Sequence, residues 1–316
     1  MDISYLLFLQ DLRSFTHGIF DSLFLCITTW GEELILLFIT AGIYWCLNKQ
    51  LGIYLLFNFH IGNLVNQCIK LTACVYRPWI RDGRIQPVEA AKPAATGYSF
   101  PSGHTAKATA IWGGLSYGGF RGKKAMRNLL ISIVLLVGFS RNYLGVHTPQ
   151  DVVISWGLGL ILLIAVNYML KWTEQGRHRD VVVCGIGILL SIILLIYAVY
   201  KTYPMDYVDG QLLVDSTRMV GSGYKSVGGA IGFFSGWLWE RRYICFDEKS
   251  GTWETKLLRF LIGAGGLLIL FKVTPAICFL LFGGLWGNFI NAGAMAIYIT
   301  AIFPWLYMHR RDKLNY

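Results

Sequence analysis

Long apolar runs, broken by short polar and charged stretches, recur along this chain. Bilayer hydrocarbon about 30 Å thick calls for about 20 apolar residues per helix. The runs are continuous rather than alternating, so they predict helices and exclude a β-barrel. Nine spans follow, roughly at 33–48, 51–70, 104–120, 128–145, 151–170, 181–200, 219–239, 257–272 and 277–307. The last is long, carries glycines and Pro304, and is expected to kink or to contain a re-entrant piece. Residues 3–30 are weakly amphipathic and are expected to lie on the membrane surface. Asp2, Asp11 and Arg13 interrupt a start that lacks the basic and apolar regions of a cleavable signal peptide. The expected fold is therefore all-α: a polytopic membrane protein with an interfacial segment at 1–32, a helical core at 33–171 and a C-terminal transmembrane extension at 172–316.

Composition agrees with this pattern. The chain has 316 residues, of which 55% are hydrophobic and 15% charged, a balance that soluble domains rarely show. A net charge of +10 is accounted for by cationic cytoplasmic loops, without nucleic acid as a partner. Arg121, Lys123, Lys124 and Arg127 follow the third span, and Lys171, Arg177 and Arg179 the fifth. Arg241, Arg242, Lys249, Lys256 and Arg259 follow the seventh, and Arg310, Arg311 and Lys313 close the chain. With nine spans all four groups share one side, the cytoplasmic one. The other side then holds Asp206, Asp209 and Asp215, the 71–103 loop and the turn near 141–150. The seven cysteines form no C-x-x-C pair and read as small buried thiols.

Three segments on that non-cytoplasmic side concentrate polar residues. They are Lys70–Pro78 (K-L-T-A-C-V-Y-R-P), Pro101–His104 (P-S-G-H) and Ser140–Asp151 (S-R-N-Y-L-G-V-H-T-P-Q-D). Charge at membrane depth is costly and points to function. Phosphoryl transfer needs positioning and electrostatic stabilisation of the equatorial oxygens. Lys70, Arg77 and Arg141 would supply cations, and the arginine fork matches phosphate in bidentate fashion. Ser102 and Gly103, just before an apolar span, would add backbone N–H groups at a helix start. Asp151, four residues beyond His147, can hold one imidazole nitrogen and leave the other to attack phosphorus. His104 can protonate the leaving oxygen and later activate water. Neither a metal nor any other cofactor is called for. Thr148-Pro149-Gln150-Asp151 also fits a capping box with proline at the first helical position.

These blocks resemble the signature of the type-2 phosphatidic acid phosphatase superfamily: K-x6-R-P, then P-S-G-H, then S-R-x5-H-x3-D. Lys70, Arg77, Pro78, Pro101, Ser102, Gly103, His104, Ser140, Arg141, His147 and Asp151 meet it at every specified position. The resemblance implies an α-helical core and metal-independent hydrolysis. It implies phosphate contacts from Lys70, Arg77, Ser102, Gly103 and Arg141, with His104 as acid, His147 as nucleophile and Asp151 as its partner. The expected substrate is a lipid phosphomonoester or diphosphate, such as phosphatidic acid or a polyprenyl diphosphate, met at the bilayer. Nine spans look more like the glucose-6-phosphatase branch, so a sugar phosphate is the alternative. A transporter or lipid-binding protein without turnover is a further one. The membrane would be the plasma membrane of a bacterium or the endoplasmic reticulum of a eukaryote.

Outside the blocks, Arg81, Arg84, Lys92 and Tyr98 in the 79–100 segment are candidates for a loop that reads the head group, against the alternative of a solvated loop. Glu32 and Glu33 have no assigned role. The glycines of 221–236 fit small-x-x-x-small helix packing.

Overall fold

The computed structural model describes residues 2–208 and 211–314. Asp209 and the side chains of Arg310, Arg311 and Lys313 lie outside the described residues. Helices dominate: α1 (Asp2–Phe15), α2 (Asp21–Thr29), α3 (Glu33–Gly42), α4 (Lys49–Ala73), the short α5 (Pro78–Arg81) and α6 (Gly103–Ala108). They continue with α7 (Lys124–Tyr143), α8 (Pro149–Glu174), α9 (Arg179–Tyr200), α10 (Ser216–Trp239), α11 (Trp253–Lys272), α12 (Thr274–Ile297) and α13 (Phe303–Leu314). Wider π turns extend α3 to Leu47, α6 to Gly119 and α10 to Ile244, and one at Tyr298–Ile302 joins α12 to α13. A two-residue antiparallel ladder, Tyr207–Val208 with Gln211–Leu212, closes the loop before α10.

Helix is present in each of the nine expected segments. Among the described residues, three stretches qualify as spans by length and apolarity alone: Pro149–Glu174, Arg179–Tyr200 and Trp253–His309. The pair Asp21–Thr29 and Glu33–Leu47, bent by 45°, qualifies together. Polar side chains explain why a helix such as α4 falls short, since it buries Asn58, His60, Asn66, Gln67 and Lys70. The kink expected in the last stretch falls at Gly283, with φ +75° inside α12, where the absence of a Cβ makes that backbone accessible. Pro304, which cannot donate to a preceding turn, follows the π turn.

Local chemistry sets the helix ends. Asn48 leaves the helical region, and its Oδ1 accepts the Leu51 N–H at 2.9 Å to start α4. Thr252 caps α11 in the same way through Thr255.

The chain folds into two compact units that interleave along the sequence, because long helices are shared between them. The first comprises Met1–Leu36, Val65–Leu163 and Tyr200–Val220, and the second Leu37–Leu64, Ile164–Val199 and Gly221–Tyr316. In the first, α1 and α2 pack against the rest of the unit. Leu6 and Leu9 are buried, Phe24 packs on Tyr143 with centroids 4.1 Å apart, and the Gln10 amide donates to the Arg84 carbonyl at 3.1 Å. In the second, the expected glycine packing is present. A Cβ on Gly228, Gly232 or Gly236 would run into the Phe289 carbonyl, the Gly293 carbonyl or the Thr300 hydroxyl, so α10 lies directly against the α12 backbone and the turn beyond it. The cysteines are all free, but Cys26, Cys68 and Cys245 are exposed rather than buried, on helix faces and a turn that no other described segment covers.

Candidate active site

All eleven specified residues of the three blocks fall in the first unit. Lys70 ends α4, whose last turn closes through Cys74 N–H on the Lys70 carbonyl at 3.2 Å. Arg77 precedes α5, with Pro78 at its first position. Ser102 is the N-cap of α6, Arg141 lies in the last turn of α7, and His147 sits in the connection before α8.

His147 is 2% exposed. Its Nδ1 lies 3.0 Å from Asp151 Oδ2 and its Nε2 lies 2.9 Å from Arg77 Nη1. A guanidinium only donates, so Nε2 is the accepting nitrogen and the proton is on Nδ1, donated to the carboxylate. This is the tautomer with its lone pair on the outer nitrogen. Burial first, and the Arg77 charge second, push the imidazole well below the usual histidine range, against the pull of Asp151. The ring is therefore neutral near pH 7.

Asp151 Oδ2 also accepts from Ser99 Oγ at 2.5 Å and from Thr148 N–H at 3.0 Å. In return Thr148 Oγ1 accepts the Asp151 N–H at 3.4 Å, which completes the capping box read from the sequence. Ser155 Oγ donates to the Ser102 carbonyl at 3.1 Å, while Ser102 N–H donates to the Asp151 carbonyl at 3.1 Å. The starts of α6 and α8 are thus tied together. Asn142 Nδ2 holds the His147 carbonyl at 2.9 Å.

The other cations divide into two kinds. Lys70 Nζ donates to the carbonyls of Tyr98, Ser99 and Pro101 at 3.0, 3.2 and 2.9 Å. Arg77 donates to Gly97, Val146 and Thr96 carbonyls at 3.0, 2.9 and 3.1 Å, and burial lowers it to about 10, so it keeps its charge. Both therefore hold the frame of the site, with their charge rather than open N–H groups turned toward it. Arg141 differs. It is wholly buried, with Nη1 donating to Thr28 Oγ1 at 2.7 Å, while Nε and Nη2 have no partner among the described residues. His104 Nε2 is likewise buried without a partner, in the field of Arg141, Lys107, His147 and Arg77. A buried donor left open is costly, and such groups mark where a ligand belongs. At the α6 start, the Ser102 hydroxyl accepts from Thr105 and its N–H is taken by Asp151. The remaining contribution is from Gly103 and His104, whose N–H groups stand at first-turn positions without intrahelical carbonyls.

The 79–100 segment is ordered by its own contacts. Arg81 pairs with Asp2 at 2.9 Å, Arg84 with Asp82 at 2.7 Å and Lys92 with Glu89 at 2.6 Å. Tyr98 is buried. These four do not converge on the site; the segment packs through Ala91 and Ala95 on Tyr143, Leu144 and Val146. It backs the His147 connection, where Gly145 (φ +73°) lies against Pro87. Ser99, Thr28, Asn142 and Ser155 are the polar residues that sequence reading missed. Asn142 stands inside the third block at an unspecified position, Ser99 two positions before Pro101 and Ser155 four beyond Asp151, whereas Thr28 is remote from every block.

A family model described as PAP2 superfamily matches residues 51–175, and one described as PAP2 superfamily phosphatase, transmembrane extension, matches residues 224–311. Phosphatidylglycerophosphatase B of Bacillus subtilis is 31% identical over 154 residues, which cover 46% of this chain and 70% of that protein. Undecaprenyl-diphosphatase of Sulfolobus acidocaldarius is 30% identical over 140 residues, 44% of this chain and 65% of that protein. No solved structure matches.

Proposed function

Since this chain belongs to the PAP2 superfamily and is a phosphoric ester hydrolase of the PAP2 type, we propose that it removes phosphate from a lipid phosphomonoester or diphosphate through a phosphohistidine on His147. One observation carries the reading: three buried N atoms, Nε and Nη2 of Arg141 and Nε2 of His104, stand open in the same unit as an imidazole held by Asp151 through Nδ1, with its accepting Nε2 on Arg77 Nη1.

In the first step the phosphate oxygens take the Arg77 Nη1–H away from His147 Nε2, whose freed lone pair attacks phosphorus; the bond to the leaving oxygen breaks, with His104 giving that oxygen a proton. The imidazolium-like nitrogen that results is stabilised by Asp151 through Nδ1–H. Arg141 receives two equatorial oxygens on its open edge, and Arg77 and Lys70 add positive potential. In the second step His104 takes a proton from water, the water oxygen attacks phosphorus, and the N–P bond breaks to release inorganic phosphate. No step requires a metal ion. The names of the two relatives favour a lipid substrate, a glycerophospholipid phosphate or a polyprenyl diphosphate. The charge distribution favours nine crossings with the site on the non-cytoplasmic side.

Phosphate release from the purified protein tests this, across phosphatidylglycerol phosphate, phosphatidic acid, undecaprenyl diphosphate and glucose 6-phosphate, with EDTA present. Turnover of a detergent-dispersed lipid substrate is expected, with His147→Ala lower by at least about a thousandfold. Preference for glucose 6-phosphate would move the assignment to a sugar phosphatase. Absence of release on every substrate would revive a transporter.

A further inference from the structure

The block signature begins at Lys70 and the matched family segment at residue 51, yet among the described residues the side chain that hydrogen-bonds Arg141 comes from α2. We infer that Thr28 is a positioning residue for the reaction, and that the α2–α3 turn is a structural wall of the phosphate pocket. This rests on the phosphatase reading above.

The argument starts with the guanidinium. Nε–H and the nearer N–H of Nη2 lie on one edge of the planar group and point in parallel, the arrangement that grips two phosphate oxygens at once. Nη1 lies on the opposite edge. Thr28 Oγ1 takes Nη1 at 2.7 Å, and so fixes the plane while leaving the Nε and Nη2 edge open. Without that bond the side chain could rotate about its terminal torsions. A fork misplaced by about 1 Å loses much of its catalytic value.

Thr28 is itself held. It is 5% exposed, and the turn that follows is closely packed. Trp112 Nε1 donates to the Trp30 carbonyl at 2.8 Å, tying the end of α2 to the π-helical continuation of α6. A Cβ on Gly31 would lie 2.9 Å from Val137 Cγ1, 3.0 Å from the His104 carbonyl oxygen and 3.2 Å from the His104 Cβ. Only glycine lets the turn come this close to the proposed acid. At its other end α2 is fastened by Tyr143 Oη donating to Asp21 at 3.1 Å. One short helix and the turn that follows it therefore meet both residues whose buried nitrogens are left open: Arg141 through Thr28, and His104 through Gly31.

Thr28→Val removes the hydroxyl with little change of volume, and Thr28→Ser keeps it. Each is compared with wild type in kcat, KM, inhibition by vanadate and melting temperature in detergent, with Thr29→Val on the neighbouring helix position as control. Thr28→Val is expected to weaken vanadate inhibition and lower kcat/KM by about tenfold to a hundredfold at an unchanged melting temperature, with Thr28→Ser within about threefold of wild type. Unchanged kinetics in Thr28→Val overturn the inference. So do equal losses in the Val and Ser variants accompanied by a lower melting temperature, which mark a packing role. His147→Ala separates the two levels: if it is inactive while Thr28→Val is normal, only this inference fails, and if it remains active the phosphatase mechanism fails first.

Discussion

Two buried arginines, one in each unit, end in opposite arrangements. Arg259 is 1% exposed; its Nη1 donates to the Trp45 and Glu248 carbonyls, its Nη2 to the Ser250 carbonyl, the Ser250 hydroxyl and Tyr307, and its plane lies over Tyr307 at 4.2 Å. Its cation fastens the helix ends of the second unit. Arg141, equally buried, commits one nitrogen and leaves two. Burial of a cation is thus no sign of function by itself. What separates the two is how far the donors are matched: Arg259 leaves only Nε open among the described residues, whereas Arg141 leaves the whole Nε and Nη2 edge. The same contrast holds more widely. The second unit is joined by glycines at backbone contact and by rings such as Phe57 on Trp237 at 4.8 Å, whereas the first collects Ser99, Ser102, Arg141, His147 and Asp151 in its interior.

If that division is sound, damage to the first unit should slow turnover, and damage to the second should loosen the fold. Ser99→Ala removes one of three donors to Asp151 and is expected to lower kcat by about tenfold to a hundredfold, at nearly constant KM; an unaltered kcat would strip Ser99 of its orienting role. Gly232→Leu is expected to destabilise the protein by about 1–3 kcal/mol through overpacking against α12, while kcat per folded molecule is kept. Thermal melts beside active-site titration would check this, and a selective fall in kcat would break the comparison. The smallest effect is on titration. Burial and Arg77 hold His147 below its ordinary value, so Nε2 should stay unprotonated as pH falls through about 6.5 and gain a proton only below it. Nitrogen NMR of labelled histidine in micelles would read this directly, and protonation at or above that value would contradict the buried environment.

The candidate site was legible because its members are costly where they stand. Lys70, Arg77 and Arg141 interrupt apolar runs, and His147 and Asp151 share a helix start, so spacing alone suggests their partnership. Thr28 was not legible. It lies 113 positions from Arg141, and a threonine in an apolar helix carries no signal of what it faces. The cations of the 79–100 segment are paired locally: Asp82 stands two residues from Arg84 and Glu89 three from Lys92, pairings that the sequence does display. The charge map of the loops suggested a topology, but the polar interior of α4 keeps apolarity from marking that helix as a span.

Asp151 Oδ2 gathers the imidazole, the Ser99 hydroxyl and the Thr148 amide on a single atom. The anchor of a long helix and the partner of the His147 imidazole are consequently one and the same oxygen. Evolution or an engineer cannot adjust basicity at this position without also touching the register of α8, so variation in rate among related chains should arise from the outlying residues that brace the centre.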